Sequence, residues 1–119
     1  LDSARAQRDL AIGKALTYTC YQMYQRTATG ISPEWVQFRS GNDFRAGPGG
    51  SFNILRPEAI ESIFILHQLT KDPVYREWGW KMFQSMEKHC RTATAYGSYP
   101  DVYSTVSGVK RRGILRTPP

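Results

Sequence analysis

The sequence predicts an all-α chain, one segment of a larger assembly of paired helices, interrupted by a long irregular loop. Three observations predict it. Three stretches repeat apolar residues at helical spacing; a Gly- and Pro-rich stretch without any period separates the first from the second; and the later two carry apolar side chains on more than one flank. Three helices buried on two flanks cannot hide all of that surface in one another, which argues for a layered α/α array.

The first helix is expected from residue 3 to about 27. Ile12, Leu16, Cys20 and Met23 recur along it, with Ala11, Ala15 and Tyr24 widening the stripe, and Thr29-Gly30 is its expected stop. At ~1.5 Å per residue it is more than about 30 Å long. Ile31 to Leu55 then holds Pro33, Gly41, Gly47, Pro48, Gly49 and Gly50 and no helical period. Connections of that length tend to be functional or disordered. Trp35, Val36 and Phe38 suggest a short extended piece within it that packs, and Glu34 follows the Ser32-Pro33 turn.

The second helix is expected from Pro57 to about Leu69, because proline suits a first helical position where its missing N–H has no partner to lose. Lys71-Asp72-Pro73 breaks the chain, with Asp72 as N-cap and Pro73 opening the third helix. That helix repeats Tyr75, Trp78, Met82 and Met86 on one face and sets Trp80, Phe83 and Glu87 on another. Gly79 inside it suggests close approach to a neighbouring backbone. The short break makes the second and third helices an antiparallel hairpin. After Arg91 the pattern becomes loop with a little strand.

At 119 residues the chain has room for one ordinary domain or a piece of a larger one, and Leu1 reads as a processed or cut N-terminus. Hydrophobic residues at 40%, with three Trp, seven Tyr and five Phe, suffice for a folded core. No apolar run approaches the roughly 18 residues of a membrane span. The net charge of +6 invites a nucleic-acid reading, but only Lys110-Arg111-Arg112 cluster, so no nucleic-acid partner is expected. Cys20 and Cys90 lack zinc spacing, and whether they pair is open.

Glu58 and Glu61 lie in the first turns of the second helix, on neighbouring parts of one surface. Ile60, Ile63, Phe64 and Ile65 press around them, and partial desolvation is how a protein turns Glu into an acid or base. The alternative is that acidic residues favour a helix N-terminus for its dipole.

The motifs themselves decide further. Leu55-Arg56-Pro57-Glu58-Ala59-Ile60-Glu61-Ser62 resembles the Arg-Pro-Glu-x-x-Glu-Ser segment of the class I α-1,2-mannosidases, glycoside hydrolase family 47. Thr19 to Tyr24 with Thr29 to Glu34 resembles the preceding helix and Pro-Glu turn, and Asp72 to Trp80 with Phe83 to His89 resembles the helix after it. Tyr96-Gly97 to Asp101-Val102 continues the order, so the resemblance covers roughly Leu10 to Arg112. It implies a seven-hairpin (α/α) barrel that binds Ca²⁺ and trims terminal α-1,2-linked mannose from high-mannose N-glycans with inversion, in the endoplasmic reticulum or Golgi or secreted, from a parent that is anchored or free. By position, Glu58 is the candidate base, Arg56 a sugar contact, and Glu34 and Glu61 complete the acidic shell around sugar, ion and water. Inversion sets acid and base roughly 6.5–9.5 Å apart, so Glu58 and Glu61 are expected to form one wall of a pocket and not the opposed pair.

The sequence departs from the family pattern in two ways. The family's acid and second essential carboxylate come from earlier helices, and the Thr that ligates Ca²⁺ directly is absent, so no metal ligand is expected within this chain. Residues 1–112 therefore read as a partial catalytic domain, inactive alone, and 113–119 as a divergent tail. Cys20 aligns with a family half-cystine whose partner lies upstream, and is expected unpaired here. The competing class is a helical-repeat protein-interaction module presenting Trp78 and Trp80, although no second hairpin copy is visible.

Overall fold

A computed structural model describes residues 3–39, 41 and 43–106, which places the Lys110-Arg111-Arg112 cluster and the tail 113–119 outside the described residues. Three helices follow in order: α1 (Ala4–Gln25), α2 (Glu58–Thr70) and α3 (Val74–His89). Among the described residues β-structure is confined to three isolated antiparallel bridges, Gln37 with Arg45, Asn53 with Tyr99, and Arg91 with Tyr96.

Local chemistry sets each boundary. Ser3 caps α1, its Oγ accepting from Ala6 N at 3.1 Å. The helix ends at Gln25, earlier than Thr29-Gly30, because Arg26 and Thr27 already turn back to the carbonyls of Gln22 and Tyr24. Gly30 then closes the following turn at φ 70°. Pro57 adopts helical dihedrals at the head of α2 and accepts from Glu61 N at 3.0 Å. Lys71 takes a left-handed conformation (φ 57°) that ends α2. One residue on, Asp72 Oδ1 accepts from Val74 N at 3.0 Å and Pro73 is already helical, so the expected break between the hairpin helices is made by these three residues.

The hairpin α2–α3 packs together and lays one flank on α1. Their shared core is Tyr21, Tyr24, Ile63, Leu66, Tyr75 and Met82, with Trp78 stacked on Tyr21 at 4.5 Å and edge-on to Tyr75 at 5.3 Å. The inward stripe of α1 is thus Thr17, Tyr21 and Tyr24, and not the expected Ile12 and Leu16, which are 51% and 63% exposed. Both stripes have helical period and differ by one residue, about 100° of rotation, so period alone cannot say which one this chain covers. Likewise Phe64, Leu69, Trp80 and Phe83 lie exposed on the second flanks of α2 and α3. Gly79 approaches Ile60 and Ile63 only at ordinary van der Waals range: an added Cβ would lie 3.5 Å from Ile60 Cδ1, so the expected close backbone approach is not needed there.

The long loop is ordered by its own small core of Ile31, Cys90, Tyr99 and Val102. Thr29 Oγ1 donates to Val102 O at 2.8 Å, and Val102 N donates to Ser51 O at 2.8 Å, tying three distant segments together. Trp35, although 41% exposed, lies so close over Gly47 and Gly50 that a Cβ at either would collide with its indole.

Both cysteines are free thiols. Cys90 is fully buried and burial pushes its thiol up to about 11, whereas Cys20 is partly exposed. A disulfide-forming thiol reagent at neutral pH is expected to modify Cys20 promptly and Cys90 only after unfolding, followed by mass spectrometry of the separated peptides. Below pH 9 the Cys90 thiol is neutral in both states, and between 9 and about 11 the unfolded chain loses its proton first, so stability falls as pH rises through that window.

Candidate active site

The end of α1, the start of α2 and the loop between them meet at one cleft of about 200 Å³. Its chemistry comes from Tyr24, Glu34, Asn53, Arg56 and Glu58, with Cys20 at its side. Glu34 reaches it because Ser32 and Pro33 are buried and Glu34 N donates to Gly50 O at 3.0 Å, which fixes the turn. Arg56 and Glu58 reach it from either side of Pro57, where the chain enters α2.

Arg56 Nε donates to Glu34 Oε1 in an ion pair. The arginine side chain is 57% exposed and the glutamate 13%, so the carboxylate is the enclosed partner. Its hydrogen bond with Glu34 and the charge of that carboxylate hold the guanidinium still more firmly protonated than usual, with a further contribution from Glu58. The second oxygen, Glu34 Oε2, is buried without a hydrogen-bond partner among the described residues. A buried carboxylate oxygen left in that state is an acceptor waiting for a donor, such as a hydroxyl or a water.

Three of the four candidate residues are therefore brought together: Glu34, Arg56 and Glu58 line the cleft. Glu61 does not line it. Three positions along a helix move a side chain about 4.5 Å along the axis and about 60° around it, which carries Glu61 past the rim. Glu58 itself is exposed, so the apolar residues of its own helix do not bury it.

Besides Asn53, Tyr24 is a cleft residue that sequence reasoning did not single out. It belongs to the core through its ring, and its hydroxyl is pushed up to about 12, chiefly by burial and then by Cys20, Glu58 and Glu34. At neutral pH it is a neutral hydroxyl beside two carboxylates, able to donate to a ligand oxygen. In the sequence it was one more aromatic on a helical stripe, and nothing distinguished it from core.

Calcium takes six to eight oxygen ligands. Among the described residues no three His, Cys, Asp or Glu side chains gather to hold a metal ion. The described residues do not supply a calcium site of their own.

Paired helices that gather an arginine-held carboxylate and a second, open carboxylate at one cleft are parts suited to an α/α-barrel glycosidase. Residues 2–112 match Glycosyl hydrolase family 47, and the chain belongs to that family. It is 42% identical over 90 residues to an endoplasmic reticulum mannosyl-oligosaccharide 1,2-alpha-mannosidase of Schizosaccharomyces pombe, a match covering 73% of this chain and 17% of that protein. To mannosyl-oligosaccharide 1,2-alpha-mannosidase IC of Homo sapiens it is 42% identical over 91 residues, covering 76% of this chain and 14% of the other. Among solved structures it is similar to alpha-1,2-mannosidase from Trichoderma reesei, with a TM-score of 0.63 and 28% identity over 78% of this chain and 22% of that one. The helices described here thus form a segment of an α/α barrel. The chain spans about a sixth of the length of the curated relatives it matches.

Proposed function

We propose that this chain supplies one wall of the catalytic centre of a mannosyl-oligosaccharide 1,2-α-mannosidase, which hydrolyses terminal α-1,2-linked mannose of high-mannose N-glycans with inversion. The observation that carries the reading is the meeting of Glu58 with the Arg56–Glu34 pair in one cleft. Glu58, on the open side, is the general base that takes a proton from the attacking water. Arg56, anchored by Glu34, holds sugar hydroxyls through its remaining N–H groups, and the orphaned Glu34 oxygen accepts from a hydroxyl or water. Glu61, one turn along α2, extends the acidic shell toward the rest of the barrel. The opposing acid and the calcium ligands are contributed from outside the described residues. Relatives named for the endoplasmic reticulum support a place in the secretory pathway.

Inverting hydrolysis requires two carboxyl groups on opposite faces of the anomeric carbon. Here Glu34 is engaged by Arg56, which leaves Glu58 without an opposed acid in the cleft among the described residues. The chain alone is expected to release no detectable mannose from α-1,2-mannobiose, with or without calcium. It is expected to bind the disaccharide weakly, and ¹⁵N-resolved titration should move resonances of Tyr24, Glu34, Arg56 and Glu58. Shifts confined to the outer faces of α1 or α3 would overturn the reading.

A further inference from the structure

We infer that Asn53 is a positioning residue: its buried amide locks together the two chain segments that supply Glu34 and Arg56, and so sets the geometry of the sugar-binding cleft. The sugar-binding part of this inference rests on the function proposed above.

Asn53 is 5% exposed and lies 21 positions beyond Ser32. Its Nδ2 donates to Ser32 O at 2.8 Å, two residues before Glu34. Its Oδ1 accepts from Leu55 N at 2.8 Å, one residue before Arg56. One side chain therefore holds both approaches to the ion pair, and it uses a donor and an acceptor on the same planar group to do so. Asparagine has that combination at this length; aspartate lacks the donor, and serine is too short to reach both. The backbone that carries the amide is held in turn, because Asn53 N and O exchange hydrogen bonds of 2.9 Å each with the backbone of Tyr99, itself 2% exposed.

The backbone beyond it needs such a hold. Leu55 sits at φ 62°, a left-handed conformation that non-glycine residues keep only where their surroundings impose it. The bond from Leu55 N to Asn53 imposes it, and the turned backbone then aims Arg56 at Glu34. Among the described residues the Asn53 side chain bonds to Ser32 O and Leu55 N and to neither Glu34 nor Arg56, so the effect passes through the backbone of both segments.

The test reads the Arg56 Nε–H proton and the Leu55 amide of the 119-residue chain by NMR, with helix content followed by circular dichroism. In the wild type both protons exchange slowly. In Asn53→Asp, which keeps the acceptor and loses the donor, the Arg56 proton is expected to exchange at least about tenfold faster while helix content is retained. In Glu34→Gln, which keeps an acceptor oxygen but loses the charge, the Arg56 protection is expected to weaken while the Leu55 amide stays protected, since Asn53 acts upstream of the pair. An Asn53→Asp chain that melts earlier yet keeps its Arg56 proton protected would reduce Asn53 to a stability role and overturn the inference. So would loss of Leu55 protection in Glu34→Gln. Should Asn53→Asp not fold, the wild type decides: a Leu55 amide exchanging as fast as that of exposed Ile54 refutes the bond on which the inference stands. A titration with α-1,2-mannobiose separates the two readings. Wild-type binding weakened about tenfold by Asn53→Asp supports both; an absence of wild-type binding defeats the proposed function, while the Arg56 signal still decides the role of Asn53.

Discussion

Glu58→Gln, made where residues 10–106 replace the matching segment of a complete family 47 enzyme, is expected to lower kcat for α-1,2-mannobiose by about 10²–10⁴. The substitution keeps the shape and the hydrogen-bonding length of the side chain but removes its ability to take a proton. KM should change little, because the Arg56–Glu34 pair, the sugar contact proposed above, is untouched. Glu61→Gln, outside the cleft, should cost less at the same step. Steady-state kinetics on the two variants check this directly. Equal losses in both would place the proton acceptor elsewhere, and a Glu58→Gln enzyme with unimpaired turnover would remove that residue from the chemistry. An azide- or formate-assisted return of activity in Glu58→Ala would add independent support for a missing base.

Met82→Ala is expected to destabilise the chain by about 2–5 kcal/mol, the usual range for emptying a buried methionine site. Met82 is 2% exposed on the face of α3 turned toward α2 and α1, in the same cluster as Ile63, Leu66 and the two tyrosines of α1. Rigid aromatic neighbours do not collapse easily into the void, and this favours the upper part of that range. Leu16→Ala should change stability by less than about 0.5 kcal/mol, because that side chain is 63% exposed in this chain. Urea unfolding of the two variants measures the contrast, with a constant m-value as the check that the same transition is followed. A large cost at Leu16 would show that the outer stripe of α1 is covered in solution.

The two results draw on different layers of the molecule. The Met82 effect comes from packing that the helical repeat of Tyr75, Trp78, Met82 and Met86 already announced. The Glu58 effect depends on where a loop of some two dozen residues returns. Motif resemblance assigned roles to Glu34, Arg56, Glu58 and Glu61, but spacing alone left Glu58 and Glu61 equivalent. Tertiary structure separates them, placing one in the cleft and the other beyond it. It also adds Tyr24, whose ring is core and which lines the cleft as well.

The amino-acid sequence by itself determined the three helices, the Lys71-Asp72-Pro73 break between the second and third, and the identity of the residues at the head of α2. These follow from local causes, namely side-chain period, the fixed φ of proline and the capping chemistry of Asp72. Only the tertiary structure decided which of two helical stripes on α1 turns inward, since rotation by one residue preserves the period. It alone decided the coming together of Glu34 and Arg56 as well. That meeting depends on hydrogen bonds between segments far apart in the chain, from Asn53 to Ser32 and Tyr99 and from Thr29 to Val102, and no local pattern encodes them.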